Sequence, residues 1–508
     1  MAKKEKQTYP RTRKEMLRIM RAADKKGQLL EMVLEEFAKH PFSMPALWDC
    51  RDYIFSIKRE DYVNNPVLIT HPALLCAMAG RLDDAKEYVA ILGKTPRNWQ
   101  LQDFDYSDFY RISTELVMPY TDDFMFLRIA FFLIKAGAVP IMSLTMSACR
   151  PSILNGFRDF TRFGPCLERY KDTITEAIGK LYGSGGKGVY EIALAEWYYQ
   201  NNNCFHALVL VTGTIPLMEQ ENDMRCLFVA LALQMKILLV NGQTRTAKPL
   251  VEKIRKRIYE TGWEELTSSL NAMECLAACY DGRQEDVEEW LEKTAPDENN
   301  DIFMMDMYAY LVKVRCYLQT GKYMVAHVLV KQLIALLTTG NRHMDLCECY
   351  MLSAIICHKA GDKKHLIEEL TKTLELAGKF GYIRLLADEG NSMVQMLNIY
   401  QQEKGADELT DQIKLLADEV GRYFPNYLKS PAEYFEPLTA TETAVLRLMS
   451  QERSSFTQII SSESCRCRTD SRRSTAGERL ICCEYIKNSL DNAYRKRGYH
   501  YEKDNGNK

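Results

Sequence analysis

The chain has 508 residues, of which 46% are hydrophobic and 26% charged, and its formal net charge is −2. This composition excludes an intrinsically disordered chain. The longest apolar run, residues 124–146, is not expected to span a membrane, because Arg128, Lys135 and Pro140 within it would be costly at membrane depth. The chain has sixteen cysteines, but no apolar secretory signal precedes them. The sequence therefore favours buried free thiols in a reducing cytoplasm over the disulfide bonds of a secreted protein.

Residues 1–64 are predicted as an N-terminal helical segment. Its first residues are basic, a pattern that fits either a solvated start of the chain or a contact with nucleic acid. The basic residues are Lys3, Lys4, Lys6, Arg11, Arg13 and Lys14.

Residues 65–424 carry an internal repeat with a period of about 40 residues. A turn residue is followed five positions later by a small or apolar residue. The pairs are Gly80/Ala85, Asn202/Ala207, Gly242/Ala247, Gly282/Val287, Gly321/Ala326 and Gly361/Leu366. Because Gly or Asn can end a helix in the left-handed conformation, each pair predicts a helical hairpin, and hairpins with apolar stripes must stack on one another. The predicted fold is all-α, a tetratricopeptide-like α-solenoid.

Two groups of residues in the repeats resemble a phosphate-binding loop and a zinc site, but neither has the residue spacing that such a site needs. The run Gly183-Ser-Gly-Gly-Lys187 has two residues where a phosphate-binding loop needs four, and no Ser or Thr follows the lysine. Cys347 and Cys349, beside His343, Cys357 and His358, point in different directions on a helix and so cannot share one ion. With no nucleophile or acid pair recognisable as an active site, we expect no catalytic residue, no cofactor and no metal, and hence no enzyme.

The C-terminal part is predicted as a linker at residues 425–436, a small domain at 437–500 and a disordered tail at 501–508. Thr439 and Glu442 form a helix-capping pattern, and a second amphipathic helix is predicted at 486–498. Residues 437–508 carry 13 Lys and Arg against 9 Asp and Glu, whereas the preceding residues carry 53 against 59. A basic module on an acidic body is typical of a DNA-binding domain attached to a larger scaffold.

This C-terminal pattern resembles the LuxR-type helix-turn-helix. The matching residues are Leu438, Thr439, Glu442, Val445, Leu446, Ile486, Lys487, Leu490, Asn492, Tyr494, Lys496 and Gly498. The resemblance implies that double-stranded DNA contacts Thr439, Lys487, Asn488, Asp491, Arg495, Lys496 and Arg497. By analogy with the family, Lys487, Asn488 and Asp491 face base edges, while the three C-terminal cations meet phosphates.

The sequence departs from the LuxR pattern by an insert at about residues 464–479, inside the turn. The thiols around it, Cys465, Cys467, Cys482 and Cys483, match no standard zinc knuckle. Two interpretations stay open. The insert loops out and leaves a working DNA reader, or the chain is a repeat scaffold that binds a protein or peptide and no longer binds DNA.

The repeats resemble the tetratricopeptide-like domain of MalT-like LuxR-family regulators. The resemblance rests on residues 377–393, with Arg384, Asp388, Glu389 and Gly390, and on the segment 150–159. It implies a solenoid that receives an inducer or protein signal, and in the family an NTP-hydrolysing module toward the amino terminus, which we do not expect within these 508 residues because Gly183–Lys187 lacks the spacing of a phosphate-binding loop. The expectation is a cytoplasmic bacterial transcriptional regulator that binds DNA, with an unknown inducer or partner, no membrane contact and a possible homodimer on DNA.

Overall fold

The computed structural model describes residues 13–58, 66–93 and 150–429, the first and last of these ranges with short gaps. The chain divides into two compact units, Met1–Ala432 and Glu433–Lys508. The second unit lies outside the described residues, and so do the predicted helix-turn-helix, its insert and the tail.

The described residues are helical, as predicted, and contain no strand. The helices are α1 (Arg13–Lys25), α2 (Met44–Asp49), α3 (Arg51–Ser56), α4 (Pro66–Met78), α5 (Leu82–Gly93), α6 (Lys171–Tyr182), α7 (Val189–Gln200), α8 (Cys204–Glu221), α9 (Met224–Val240), α10 (Thr244–Thr261), α11 (Thr267–Asp281), α12 (Gln284–Lys293), α13 (Met307–Gln319), α14 (Tyr323–Thr339), α15 (His343–Lys359), α16 (Lys363–Phe380), α17 (Ile383–Ala387), α18 (Asn391–Lys404) and α19 (Glu408–Tyr423). Short 3₁₀ helices occur at Thr161–Cys166 and Met304–Asp306.

The six predicted turns are confirmed. Each turn residue has a left-handed backbone, from φ 62° at Asn202 to φ 75° at Gly321. At Gly282 the helix end closes with two bonds, from the Gly282 amide to the Cys279 carbonyl at 3.1 Å and from the Arg283 amide to the Ala278 carbonyl at 2.9 Å. The other five turns repeat this Schellman pattern. The residue five positions after each turn is buried, so the repeated pairs mark where the second helix of each hairpin packs on the first.

Two further left-handed turns connect one hairpin to the next. Asn341 (φ 53°) lies between α14 and α15, and Gly381 (φ 73°) lies between α16 and α17. They alternate with Gly321 and Gly361 at intervals of 20 residues, half of the repeat. Each is followed five positions later by a leucine, Leu346 and Leu386, as Gly361 is by Leu366, but a period of 40 residues selects one turn per hairpin and so passes over the turns between hairpins.

The described N-terminal helices share the core of the repeats. Trp48 of α2 stacks on Phe303 with ring centroids 4.3 Å apart and an interplanar angle of 6°. Met16 and Met20 of α1 have no exposed surface and belong to the same apolar cluster. Wherever the structure describes residues 1–64, they therefore pack on the other helices of the first compact unit, Met1–Ala432, whose described part we call the helical unit.

The helical unit continues past α19. Tyr427 and Leu428 are buried, 4% and 0% exposed, so the first residues of the stretch predicted as a linker pack on the repeats. Residues 430–436 lie outside the described part. Among the helices that the structure describes, none has the length and apolarity needed to span a membrane.

Candidate functional site

A cavity of about 110 Å³ lies among the first helices of five successive hairpins. Each of these helices contributes a polar side chain to its wall: Glu196 from α7, Lys236 from α9, Tyr280 from α11, Arg315 from α13 and Glu348 from α15. This volume is several times what one water molecule needs. We call it the central cavity.

The repeat itself places several of these charges. Glu196, Lys236 and Arg315 each lie six positions before the turn residue that ends their helix. Each interrupts an apolar helix, where an ionised side chain is retained only if it is paired or hydrogen-bonded. Equivalent positions on stacked first helices face the same side, so the repeat brings the charges to one wall.

The segment that precedes α6 supplies a cation to the central cavity. Arg150 donates through Nη1 to Oδ1 of Asp345 at 2.5 Å and to Oε2 of Glu348 at 3.0 Å. All three side chains are nearly inaccessible to solvent. Arg342 also donates to Asp345, from Nε to Oδ2 at 2.5 Å. The segment at 150 is thus tied to α15 by buried ion pairs.

Arg315 joins two carboxylates that line the cavity, Glu348 and Glu389. Its Nη1 donates to Oε1 of Glu348 at 2.7 Å, and its Nη2 donates to Oε1 of Glu389 at 2.5 Å. The hydroxyl of Tyr427 donates to Oε2 of Glu389 at 3.0 Å. Tyr427 follows α19, so this network connects the cavity with the C-terminal edge of the helical unit.

The environment acts in opposite directions on the two carboxylates. Burial alone would raise the pKa of Glu348, but Arg150 and Arg315 outweigh burial and lower this pKa to about 2. Burial raises the pKa of Glu389 above its ordinary value, although Arg315 and Tyr427 oppose the shift. Glu348 is therefore fixed as an anion, whereas Glu389 is the carboxyl more easily protonated.

A second cluster surrounds Asp388. Its carboxylate accepts a hydrogen bond from the Tyr199 hydroxyl at 2.5 Å and lies 2.6 Å from Nη2 of Arg384. Its backbone carbonyl accepts from the Tyr280 hydroxyl at 2.9 Å. These contacts fix the short segment between α17 and α18 against α7 and α11.

Lys236 is the least tightly paired cation of the cavity wall. Its ammonium lies 3.5 Å from Asp388 Oδ2 and 5.0 Å from the centre of the Tyr199 ring. Its side chain keeps 35% of its surface accessible and lines the cavity. The surrounding protein lowers the pKa of Lys236 by desolvation, and Asp388 opposes the shift. An incoming polar group would therefore meet an ammonium with bonding capacity left.

Glu196 holds the loop that follows Arg150. Its carboxylate accepts from the amides of Ile153 at 2.7 Å and Leu154 at 3.0 Å, and from the hydroxyl of Ser152 at 2.7 Å. Burial raises the pKa of Glu196, and these hydrogen bonds oppose the shift. The loop is therefore anchored to α7 and forms one wall of the cavity.

This arrangement suits a small polar organic molecule. Its carboxylates are already compensated, Glu196 by hydrogen bonds and the others by Arg or Lys. No His or Cys lines the described part of its wall, so it does not have the donor set of a transition-metal site. Aromatic faces beside a few hydrogen-bonding groups are typical of small-molecule sites. The aromatic side chains are Trp197, Tyr199, Tyr280, Tyr308 and Tyr382.

The predicted DNA-contacting residues all lie outside the described part of the chain: Thr439, Lys487, Asn488, Asp491, Arg495, Lys496 and Arg497. The rejected zinc set falls on α15, where Cys347 and Cys349 are fully buried and the Cys347 thiol lies 3.5 Å from the Thr373 carbonyl. Lys236, Arg315 and Glu348 were not among the residues predicted from the sequence, although isolated charges in apolar helices were a usable signal.

Residues 173–403 match the family model described as MalT-like TPR region. The match runs from α6 to the end of α18 and includes most of the cavity wall, whereas Arg150 and Tyr427 lie outside it. No curated protein matches the chain in sequence. The described helical repeats are thus similar to the repeat region of MalT-type regulators.

Proposed function

We propose that the chain is a DNA-binding transcriptional regulator in which the helical repeats control a C-terminal LuxR-type helix-turn-helix. The observation that carries the proposal is the joint occurrence of two features. Residues 173–403 match the MalT-like TPR region, and residues 438–498 of the same chain resemble the LuxR-type DNA-binding pattern. The expected compartment is the bacterial cytoplasm.

The central cavity is the proposed sensor site of this regulator. Its ion pairs join elements that are distant in sequence: the loop after Arg150, the helices α13 and α15, and the segment that holds Glu389. A polar effector that hydrogen-bonds to Lys236 or competes for Arg315 changes the relative stability of these contacts. Such a ligand shifts the population of the unit between conformations by its differential affinity for them.

The DNA contacts follow the LuxR resemblance. Lys487, Asn488 and Asp491 face base edges, while Arg495, Lys496 and Arg497 neutralise phosphates. Two copies of the chain would place their reading helices on two half-sites, as dimeric helix-turn-helix proteins do. The effector acts by changing the assembly of these copies.

The test measures DNA binding by the full chain. A fluorescent duplex pool of about 30 randomised base pairs, long enough for two half-sites, is titrated at increasing salt. We expect the logarithm of the binding constant to fall linearly with the logarithm of salt concentration, because phosphate binding releases counterions. Arg495→Ala should reduce this slope by about 1, and Lys487→Ala should weaken selection of preferred sequences from the pool.

The matched control is Lys256→Ala. Lys256 lies on α10 with 77% of its side chain exposed, so this variant removes one positive charge from the helical unit. Its salt slope should equal that of the unmodified chain. If DNA binding is undetectable at low salt, or if all three variants behave alike, the scaffold that binds a protein or peptide becomes the better description.

A further inference from the structure

Three thiols meet at the contact between α11 and α13. Cys275 Sγ lies 3.2 Å from Cys316 Sγ, and Cys279 Sγ lies 3.8 Å from Cys316 Sγ. All three sulfur atoms fall within 4.8 Å of one another, and all three cysteines are free thiols. The central cavity does not include them.

The helical repeat explains this convergence. Cys275 and Cys279 are one turn apart on α11, so their side chains lie on the same face. Cys316 extends from α13, the first helix of the next hairpin, and faces them. Two ligands at i and i+4 and a third from a neighbouring helix form a site on rigid elements rather than on loops.

The sulfur spacing suits a small metal ion. A metal–sulfur bond of about 2.3 Å requires sulfur atoms about 3.7 to 4.0 Å apart for tetrahedral or trigonal angles. The sulfur atoms of Cys279 and Cys316, 3.8 Å apart, already have this separation. The sulfur atoms of Cys275 and Cys316 are 3.2 Å apart, and a small rotation of either side chain would bring them to the required distance.

An open groove of about 780 Å³ leads to the cluster. Cys275, 3% exposed, lies in the wall of this groove, whereas Cys279 and Cys316 lie behind it without exposed surface. The groove is lined by five carboxylates, those of Glu252, Glu274, Asp281, Asp286 and Glu289, against three cations, those of Arg245, Arg283 and Lys293. Glu274 is also paired with Arg255, which leaves an excess of one carboxylate that attracts cations toward Cys275.

We propose that Cys275, Cys279 and Cys316 form a binding site for a soft metal ion of the Cu(I) type, held by three thiolates. Thiolates select soft ions, and Cu(I) accepts three sulfur ligands, whereas a structural zinc ion takes four. The described residues supply three ligands at this place. The site links two neighbouring repeats, so metal binding stabilises the contact between α11 and α13.

The test is an anaerobic titration of the reduced full chain with Cu(I), in competition with the chromogenic chelator bicinchoninate. We expect the unmodified chain to take up one equivalent of Cu(I) that the Cys316→Ala and Cys275→Ala variants bind at least about 100-fold more weakly. X-ray absorption of this equivalent should show sulfur neighbours at about 2.3 Å. The matched control is Cys349→Ala, because Cys349 is equally buried on α15 but lies outside the cluster.

The chain has sixteen cysteines, so the difference between variants is the decisive quantity. Circular dichroism establishes that each variant is folded, and Cys275→Ala carries the test if Cys316→Ala fails to fold. Equal uptake by the unmodified chain, both cluster variants and the control would overturn the proposal. So would a Cys275–Cys316 disulfide formed in air without any tightly bound Cu(I) in the reduced chain.

Discussion

The guanidinium of Arg150 lies 3.0 Å from the carboxylate of Glu348, although 198 positions separate the two residues. Glu348 also accepts from Arg315, so it lies between one cation from outside the matched repeats and one from within them. Removing either partner of such a buried pair is costly, because the charge that remains is desolvated and uncompensated.

Arg150→Met should therefore destabilise the helical unit strongly. It leaves Asp345 and Glu348 with one cation fewer, and the expected loss in the free energy of unfolding is about 3–5 kcal/mol. Urea denaturation followed by circular dichroism measures this loss. Arg422→Met is the control, since Arg422 is 73% exposed and its ion pair with Asp418 should contribute less than about 1 kcal/mol. Equal losses in the two variants would contradict a stabilising role for the buried network.

Because the pKa of Glu348 is low, we also expect the free energy of unfolding to depend on pH. Its pKa in the folded chain, about 2, lies below the ordinary value of 4.5. A carboxyl whose pKa is lower in the folded than in the unfolded chain stabilises the fold at pH values above the unfolded pKa. This contribution to the free energy of unfolding is therefore lost as the pH falls from about 4.5 to about 2. It amounts to roughly 3 kcal/mol. Glu389 and Glu196, whose pKa values are raised, act with the opposite sign and partly mask the effect in the unmodified chain.

The pH effect is isolated by comparing the unmodified chain with Glu348→Gln. The difference in their free energies of unfolding should shrink as the pH falls through this window. Glu285→Gln, at an exposed position of α12, is the control and should differ from the unmodified chain by a constant amount. A difference for Glu348→Gln that does not change with pH would show that Arg150 and Arg315 do not hold this carboxylate ionised.

The sequence predicts the hairpins well because their turns are local. A left-handed Gly or Asn and a packed residue five positions later are fixed by backbone geometry, and all six turns have the expected conformation. The central cavity is not predictable in the same way. Its pairs join Arg150 with Glu348 and Arg315 with Glu389, and no sequence period sets these partners. A charge recurs six positions before a turn at Glu196, Lys236 and Arg315, but this signal for one wall was recognised only from the structure.

The turn glycines give a graded series of substitutions. Gly282 and Gly361 have φ values of 70° and 71°, so an alanine at either position is strained by about 1–2 kcal/mol. At Gly282 an added Cβ would also meet Asn426 Cβ at 2.9 Å, whereas at Gly361 it would meet no atom within 4 Å. Gly282→Ala should therefore lower the midpoint of urea unfolding more than Gly361→Ala.

Asparagine serves as the control for backbone strain. The chain already uses Asn202 at an equivalent turn, with φ 62°. Gly361→Asn should therefore cost less than Gly361→Ala, because Asn tolerates the left-handed region better than Ala does. If Ala and Asn at position 361 are equally destabilising, left-handed strain does not explain why glycine recurs at these turns.

Tyr427 links the central cavity with the end of the described helical unit. Its hydroxyl donates to Glu389 at 3.0 Å and accepts from Nε of Arg315 at 3.1 Å. Tyr427→Phe leaves one oxygen of Glu389 without this donor, and the expected loss in the free energy of unfolding is about 1–3 kcal/mol.

Tyr423→Phe is the control, since Tyr423 is 56% exposed and its hydroxyl can bond to water. Hydrogen exchange should accelerate at the amides of Phe424 and of residues 426–429 in Tyr427→Phe but not in the control. Unchanged exchange in this segment, together with faster exchange in the rest of the chain, would contradict the prediction. The Tyr427 hydroxyl would then stabilise the whole fold without holding the segment after α19 to the cavity.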